Sequence, residues 1–177
     1  MRRRVLIQSA LFAGGYLLSG GLRATTYLSV PEAQQLIWPD QLLAPAAVTL
    51  TAEQQKAIKK ASEVRVRSAE LNAWRTPAGD WFIVDQVVGK HEFIDVAVGI
   101  AHSGEMTGIE ILTYRESYGH EVRNPKWRAQ FRGRNATDIL KLDTQIRNIS
   151  GATLSCSHIT DAANRLLQTW QLVLSTR

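Results

Sequence analysis

The chain is short of most residues that would announce a reaction. It holds one cysteine, Cys156, so no internal disulfide can form and no Cys-x-x-Cys-His string can attach a c-type haem. Its four histidines, His91, His102, His120 and His158, are scattered at spacings that do not read as a metal site. A Gly-x-Ser-x-Gly elbow is missing, and the histidine nearest the hydroxyl-rich stretch, His158, sits three residues after Ser155 on an expected helix, which gives a hydrolase little to work with. Gly14-Gly15 and Gly20-Gly21 lie inside an apolar N-terminal run rather than between a strand and a helix, so they do not make a dinucleotide-binding turn. A large charge excess is absent too. The formal charge is +5, but Arg2, Arg3, Arg4 and Arg23 fall in a segment without acids, and beyond it 17 basic residues face 16 acidic ones. A nearly neutral domain demands no basic face, which sets nucleic acid aside as the expected partner.

What is present begins with that segment. Three arginines precede the apolar run from Val5 to Leu22, and Ala24 stands where a cleavage site would end. This is the layout of a secretory signal, so the protein is expected to be exported to the periplasm. Left uncleaved, the run is about as long as the shortest spanning helices and would anchor the chain to the inner membrane. Residues 1–24 are therefore set apart as signal peptide or membrane anchor, residues 25–70 as a helical and connecting segment, and residues 71–177 as the main domain.

In the connecting segment, Pro31 to Ile37 has helical composition and stops at Trp38-Pro39-Asp40. Leu42 to Val48 reads as a packed connector, and Thr51-Ala52-Glu53-Gln54 as a capping box that opens a helix through Ala61. From Glu63 the pattern changes to strands. Val64, Val66 and Leu71 to Trp74 give short pieces, and the turn Pro77 to Asp80 leads into Trp81-Phe82-Ile83-Val84. Ile94, Val96, Val98 and Ile100 alternate with the small or polar Asp95, Ala97, Gly99 and Ala101, the mark of a half-buried strand whose second face admits a close neighbour. After the turn at His102 to Glu105, Met106 to Tyr114 returns as its partner. Arg115 to Arg134 is irregular and rich in glycine, arginine and aromatics.

The stretch that organises the rest is Ser150-Gly151-Ala152-Thr153-Leu154-Ser155. Gly151 supplies the backbone freedom of a tight loop, and two hydroxyl residues flank the opening. Downstream, Ile159, Ala163, Leu166, Trp170 and Val173 recur at helical spacing, so the loop feeds an amphipathic helix, with Ser155 or Ser157 as its expected N-cap. A helix start offers unpaired N–H groups and the positive end of the dipole, which suits a phosphate. Cys156, in the first turn, reads as a buried structural thiol.

This run, followed by a helix, resembles the flavinylation motif of the FMN-binding domain family, which includes the FMN-carrying subunits of sodium-pumping NADH:quinone reductases and of Rnf complexes. Glu116-Ser117-Tyr118-Gly119 and Gln130-Phe131-Arg132-Gly133 look like two further stretches of that family, so the resemblance spans roughly residues 80 to 175. It implies FMN joined through its phosphate to the hydroxyl of Thr153, with Ser150, Gly151, Ala152, Leu154, Ser155, Glu116, Ser117, Tyr118, Gly119 and Phe131 around it. Trp127 and Phe131 either wall the isoalloxazine or plug the core. Members often carry an aspartate six positions before the modified threonine, where this chain has Arg147, its nearest upstream acid being Asp143. The resemblance further implies a flavin transferase that uses FAD and a divalent metal, and a membrane-bound reductase or quinone-linked complex as redox partner. The expected architecture is α+β: a twisted, mostly antiparallel sheet with helices packed on one side, and the flavin loop leading into the C-terminal helix. The role is then that of a redox carrier or oxidoreductase subunit. Non-covalent FMN binding and a cofactor-free envelope binding module stay open as alternatives.

Overall fold

A computed structural model describes residues 25–177. The expected export segment, residues 1–24, lies outside the described residues. Among the described residues, no helix is long and apolar enough to cross a membrane.

The core of the fold is an antiparallel meander of four long strands: β4 (Glu70–Arg75), β5 (Trp81–Val88), β6 (Phe93–Ile100) and β7 (Met106–Tyr114). β5 and β6 pair along their whole length, from Trp81 opposite Ile100 to Val88 opposite Phe93. Three two-residue strands complete the sheet: β1 (Thr25–Thr26) borders β7, while β2 (Ala44–Pro45) and β3 (Val48–Thr49) both pair with β4. Residues 25–70 thus supply sheet edges as well as helices. β4 meets β5 only from Asn72 to Arg75, because Glu70 and Leu71 turn aside to pair with β3.

The alternation read along β6 decides what covers each face. Ile94, Val96, Val98 and Ile100 are fully buried in the main core, together with Ile58 of α2 (Ala52–Ser62) and Ile159, Ala163 and Leu166 of α4 (Thr153–Thr169). The α+β expectation is borne out, with the helix after the Ser150–Ser155 loop lying across that face. A smaller layer covers the other side: Ala33 of α1 (Val30–Ile37) packs with Phe82, Ala97 and Leu112. The small residues of β6 therefore admit a helix, since a Cβ added at Gly99 would collide with the Ile37 side chain.

Local chemistry sets the helix limits. Thr51 and Gln54 form the expected capping box, and Ser29 and Glu32 form a second one at the start of α1. α4 runs on into a π-helical turn, Trp170–Leu174, which keeps Val173 and Leu174 in the core. The Trp170 ring lies against Gly104, where a Cβ would sit 2.5 Å from it. The irregular stretch after β7 is held by short turns: a 3-10 turn at His120–Arg123, α3 (Pro125–Arg128) and a second 3-10 turn at Ala129–Phe131.

Two ion pairs tie elements together from partly or fully buried positions, Arg165–Asp85 between α4 and β5 and Arg128–Glu110 between α3 and β7. Burial pushes the Asp85 carboxyl up, with Arg165 first among the groups that offset it.

The contribution of the α4 stripe is measurable. Ile159→Ala should cost about 2–5 kcal/mol in urea denaturation, because a fully buried branched side chain leaves a cavity that the sheet cannot close. Leu172→Ala, at a position 44 % exposed, should stay within about 0.5 kcal/mol.

Candidate functional site

Three segments distant in sequence meet at one end of the sheet and enclose a cleft of about 500 Å³. They are the β5–β6 turn (Lys90, His91, Glu92), the chain leaving β7 (Glu116, Ser117, Tyr118), and the loop and first turn of α4 (Gly151 to Ser155). Two of the three sequence stretches singled out beforehand are therefore brought together.

The loop is shaped by its backbone. Gly151 takes φ +87°, and no atom would lie within 4 Å of a Cβ added there, so the glycine is required by conformation rather than by space. Ala152 then donates its N–H to the Ile149 carbonyl at 2.9 Å and becomes the N-cap of α4. This corrects the expectation that Ser155 or Ser157 caps the helix. The turn at Gly151 starts the helix earlier, and no side chain caps it. The N–H groups of the first turn are thereby left for an anion at the mouth of the cleft. Thr153 opens the helix with an exposed side chain, and its Oγ1 accepts a bond from Asn148 Nδ2 at 3.1 Å.

Ser155 has a structural task. It is 4 % exposed, and Tyr114, the last residue of β7, stands 2.9 Å from its hydroxyl. Tyr114 Oη donates to the Tyr118 carbonyl at 2.5 Å, so the Ser155 hydroxyl is the donor in the pair with Tyr114. Burial pushes the Tyr114 phenol up, keeping it a neutral donor. Gly119, at φ +95°, makes room for this contact: a Cβ there would sit 2.5 Å from Tyr114 Oη and 3.1 Å from Ser155 Oγ.

Glu116 holds the opposite rim. Its Oε1 accepts the N–H groups of His91 and Glu92, the latter at 2.8 Å. Burial raises its pKa, but the bonds from Glu92, His91 and Lys90 and the charge of His91 outweigh that and leave the carboxyl below its ordinary value. Gly89 must lack a side chain, because a Cβ would lie 2.6 Å from Glu116 Oε1. His158 Nδ1 pairs with the Gly89 carbonyl at 3.1 Å and fixes the turn to α4.

Not every residue expected at the site lines it. Phe131 is fully buried and meets Trp127 edge-on, with ring centroids 5.2 Å apart, so of its two readings the core plug is the one realised. Its neighbours act on the motif at a distance. Trp127 Nε1 donates to the Arg147 carbonyl at 2.6 Å, and Gln130 Oε1 accepts the Arg147 N–H at 2.8 Å, which fixes the chain entering the loop. Ser150 is exposed just outside the lining, and Gly119 stands behind it. Leu154 and Tyr118, 46 % and 84 % exposed, give the cleft apolar surface. Sequence reasoning missed Lys90, His91, Tyr114 and Asn148. Tyr114 closes an apolar strand and carries no local mark of its hydroxyl's role, whereas the turn that holds Lys90 and His91 was visible only as a gap between strands.

The chemistry available is that of binding. The hydroxyl of Thr153 meets an amide donor rather than a base, so among the described residues none is bonded to it that would activate it as a nucleophile. Cys156 is fully buried and its thiol is pushed up by burial, which makes it structural. Among the described residues, no group of three or more His, Cys, Asp or Glu can hold a metal ion.

Tyr114→Phe should lower stability by about 1–3 kcal/mol in urea denaturation, since it leaves the buried Ser155 hydroxyl without its partner. The Glu116 clamp should depend on acidity. A carboxyl held below its ordinary value of 4.5 contributes fully above that pH and releases as pH falls through its lower folded value. The protection factors of the His91 and Glu92 amides should therefore fall on acidification below pH 4.5, and in Glu116→Gln that step should disappear.

The cleft fits a flavin mononucleotide in the properties that its residues decide. Its volume of about 500 Å³ lies in the cofactor range of roughly 300–1,000 Å³. An uncapped helix start answers the phosphate, Lys90 adds a cation, and Tyr118 and Leu154 offer apolar walls. Comparison with known proteins agrees. No curated protein matches the chain. The family model of the FMN-binding domain matches residues 89–168, from Gly89 of the rim to the last turn of α4, and so includes every wall of the cleft. Residues 89–168 therefore match the FMN-binding domain, and that match indicates FMN as the cofactor.

Proposed function

We propose that this protein is an exported electron carrier whose FMN is joined through its phosphate to Thr153 Oγ1. The observation that carries this reading is the position of Thr153: an exposed hydroxyl at the first residue of an uncapped 17-residue helix, on the wall of the cleft. A phosphodiester there retains one negative charge, which the first-turn N–H groups and the helix dipole stabilise.

Because no base stands beside Thr153, attachment requires a separate flavin transferase using FAD and a divalent metal. In that step the threonine oxygen bonds to the FMN phosphorus, the pyrophosphate bond of FAD breaks, AMP leaves and the hydroxyl proton is released. When bound, FMN supplies the one- and two-electron chemistry of its isoalloxazine. The chain's own part is to bind and orient: the Glu116-held turn presents Lys90 and His91, Tyr118 and Leu154 shield the cleft, and the Tyr114–Ser155 bond holds the opposite walls at fixed distance. A cleft open at the end of the sheet suits exchange with a membrane-bound reductase or quinone-linked complex. Residues 1–24 carry the chain across the inner membrane to the periplasm, as a cleaved signal or as an anchor.

Arg147 favours a second reading, FMN held without a covalent bond. This position precedes Thr153 by six residues, and its backbone is fixed while its side chain is exposed, so a transferase that reads an aspartate there meets a guanidinium instead.

Intact mass spectrometry of the protein exported with and without a flavin transferase separates the readings. With the transferase, the expected result is a gain of one FMN less water, mapped to the peptide containing Thr153. Thr153→Val should abolish that gain and leave the denaturation midpoint unchanged. Yellow protein that loses its colour on acid precipitation would instead establish the non-covalent form, and Arg147→Asp should then restore attachment.

A further inference from the structure

A second cavity, of about 410 Å³, shares no wall with the FMN cleft. It exists because β4 leaves β5 at Asn72, so the last residues of β5 have no strand on that side. Gln86, Val87 and Val88 form one wall and the extended chain Val64–Arg67 another. α4 closes it with His158, Asp161, Ala162 and Arg165, a row at helical spacing beside the main apolar stripe, with Ala162 itself in the core.

The charges around this cavity do not cancel in pairs. Arg165, 5 % exposed, is committed to Asp85, and its Nη1 donates to the Arg65 carbonyl at 3.4 Å. Asp161 lies in the field of His158 and Arg165. The Gln86 amide is turned to Asp95 at 2.7 Å. Arg65 and Arg67 remain. Among the described residues neither forms an ion pair. Val66 between them packs against the core, while Arg65 and Arg67 are both exposed and line the cavity. Arg67 lies over the Phe93 ring, 4.7 Å from its centroid, which steadies the planar group while leaving its N–H edge free.

We propose that this cavity binds a small organic anion, a carboxylate on an apolar body, with the carboxylate on Arg65 and Arg67 and the body between Val64, Val87, Val88 and Ala162. The volume lies within the roughly 300–1,000 Å³ of small-molecule pockets. Arginine forks match the two oxygens of a carboxylate, and the valine walls favour a ring or chain behind it over a bare inorganic ion. The site is also mechanically joined to the flavin cleft. His158, on its wall, holds the carbonyl of Gly89, next to Lys90 of the rim.

The test uses the full chain, isotope-labelled, titrated separately with benzoate, benzamide and inorganic phosphate while the amide resonances of Val87, Val88 and Ala162 are followed. Benzoate should shift them with a Kd of about 1 mM. Arg65→Gln with Arg67→Gln should weaken it about tenfold or more, through loss of charge-assisted bonds. Both arginines are exposed, so the double variant should keep its denaturation midpoint, and each single variant should lose part of the affinity. Benzamide and phosphate should bind more weakly than benzoate. Absence of shifts up to about 10 mM, equal binding by the double variant, or phosphate binding as tightly as benzoate would each overturn the proposal. None of these outcomes depends on whether FMN is attached.

Discussion

The Tyr114 hydroxyl is the contact on which the site rests. It ends β7, reaches the carbonyl of Tyr118 in the chain that leaves the sheet, and receives the hydroxyl of Ser155 in the first turn of α4. One buried oxygen thus joins the strand, the loop and the helix that form two of the three walls of the cleft. Gly119 is small where that convergence needs space, since a Cβ there would press on Tyr114 and Ser155 and touch the Cα of Ala152. A buried hydroxyl must find partners or carry the cost of its desolvation, so the arrangement is specific as well as cohesive.

The third wall is held by charge instead of by a hydroxyl. Glu116 collects the N–H groups of the turn, and His158 fixes the same turn from α4. The helix is itself pinned to β5 by Arg165–Asp85, a pair drawn from the largely buried side of the sheet. Removing either partner from such a pair leaves a charge without compensation, so the pair acts less as a source of net stability than as a fixer of position. The register of α4 against β5, and with it the placement of Thr153, follows from that constraint.

Periodicity made the main elements legible. The β6 alternation, the α4 stripe and the Thr51 capping box all exist as read, because each is a local pattern that tertiary packing reinforces. The two-residue strands β1, β2 and β3 were invisible for the opposite reason: a pattern needs several residues, and these pair only because the long strands offer edges. At the site, the Ser150–Ser155 run and Glu116–Tyr118 were found from their residue types. Phe131 was placed there as an open choice because an aromatic near a flavin motif has two uses, and burial selected the core. Asp85 and Arg165 carry no local mark of their pairing, which joins residues 80 apart in the chain. The helix cap was misplaced because serine preference suggested Ser155 or Ser157, while the turn at Gly151 decided the start.

The borders of the sheet carry a consequence for association. β1 and β2 present only two residues of edge each, β7 beyond β1 is met by Gly133 and Arg134 at Met106 and by the Arg128 side chain at Ile109, and the unpaired end of β5 is flanked by Val64–Arg67. Such short borders are poor templates for another chain's strand. Association by strand addition is therefore disfavoured, and contacts with other molecules are left to side chains and loop tips, which form and part quickly.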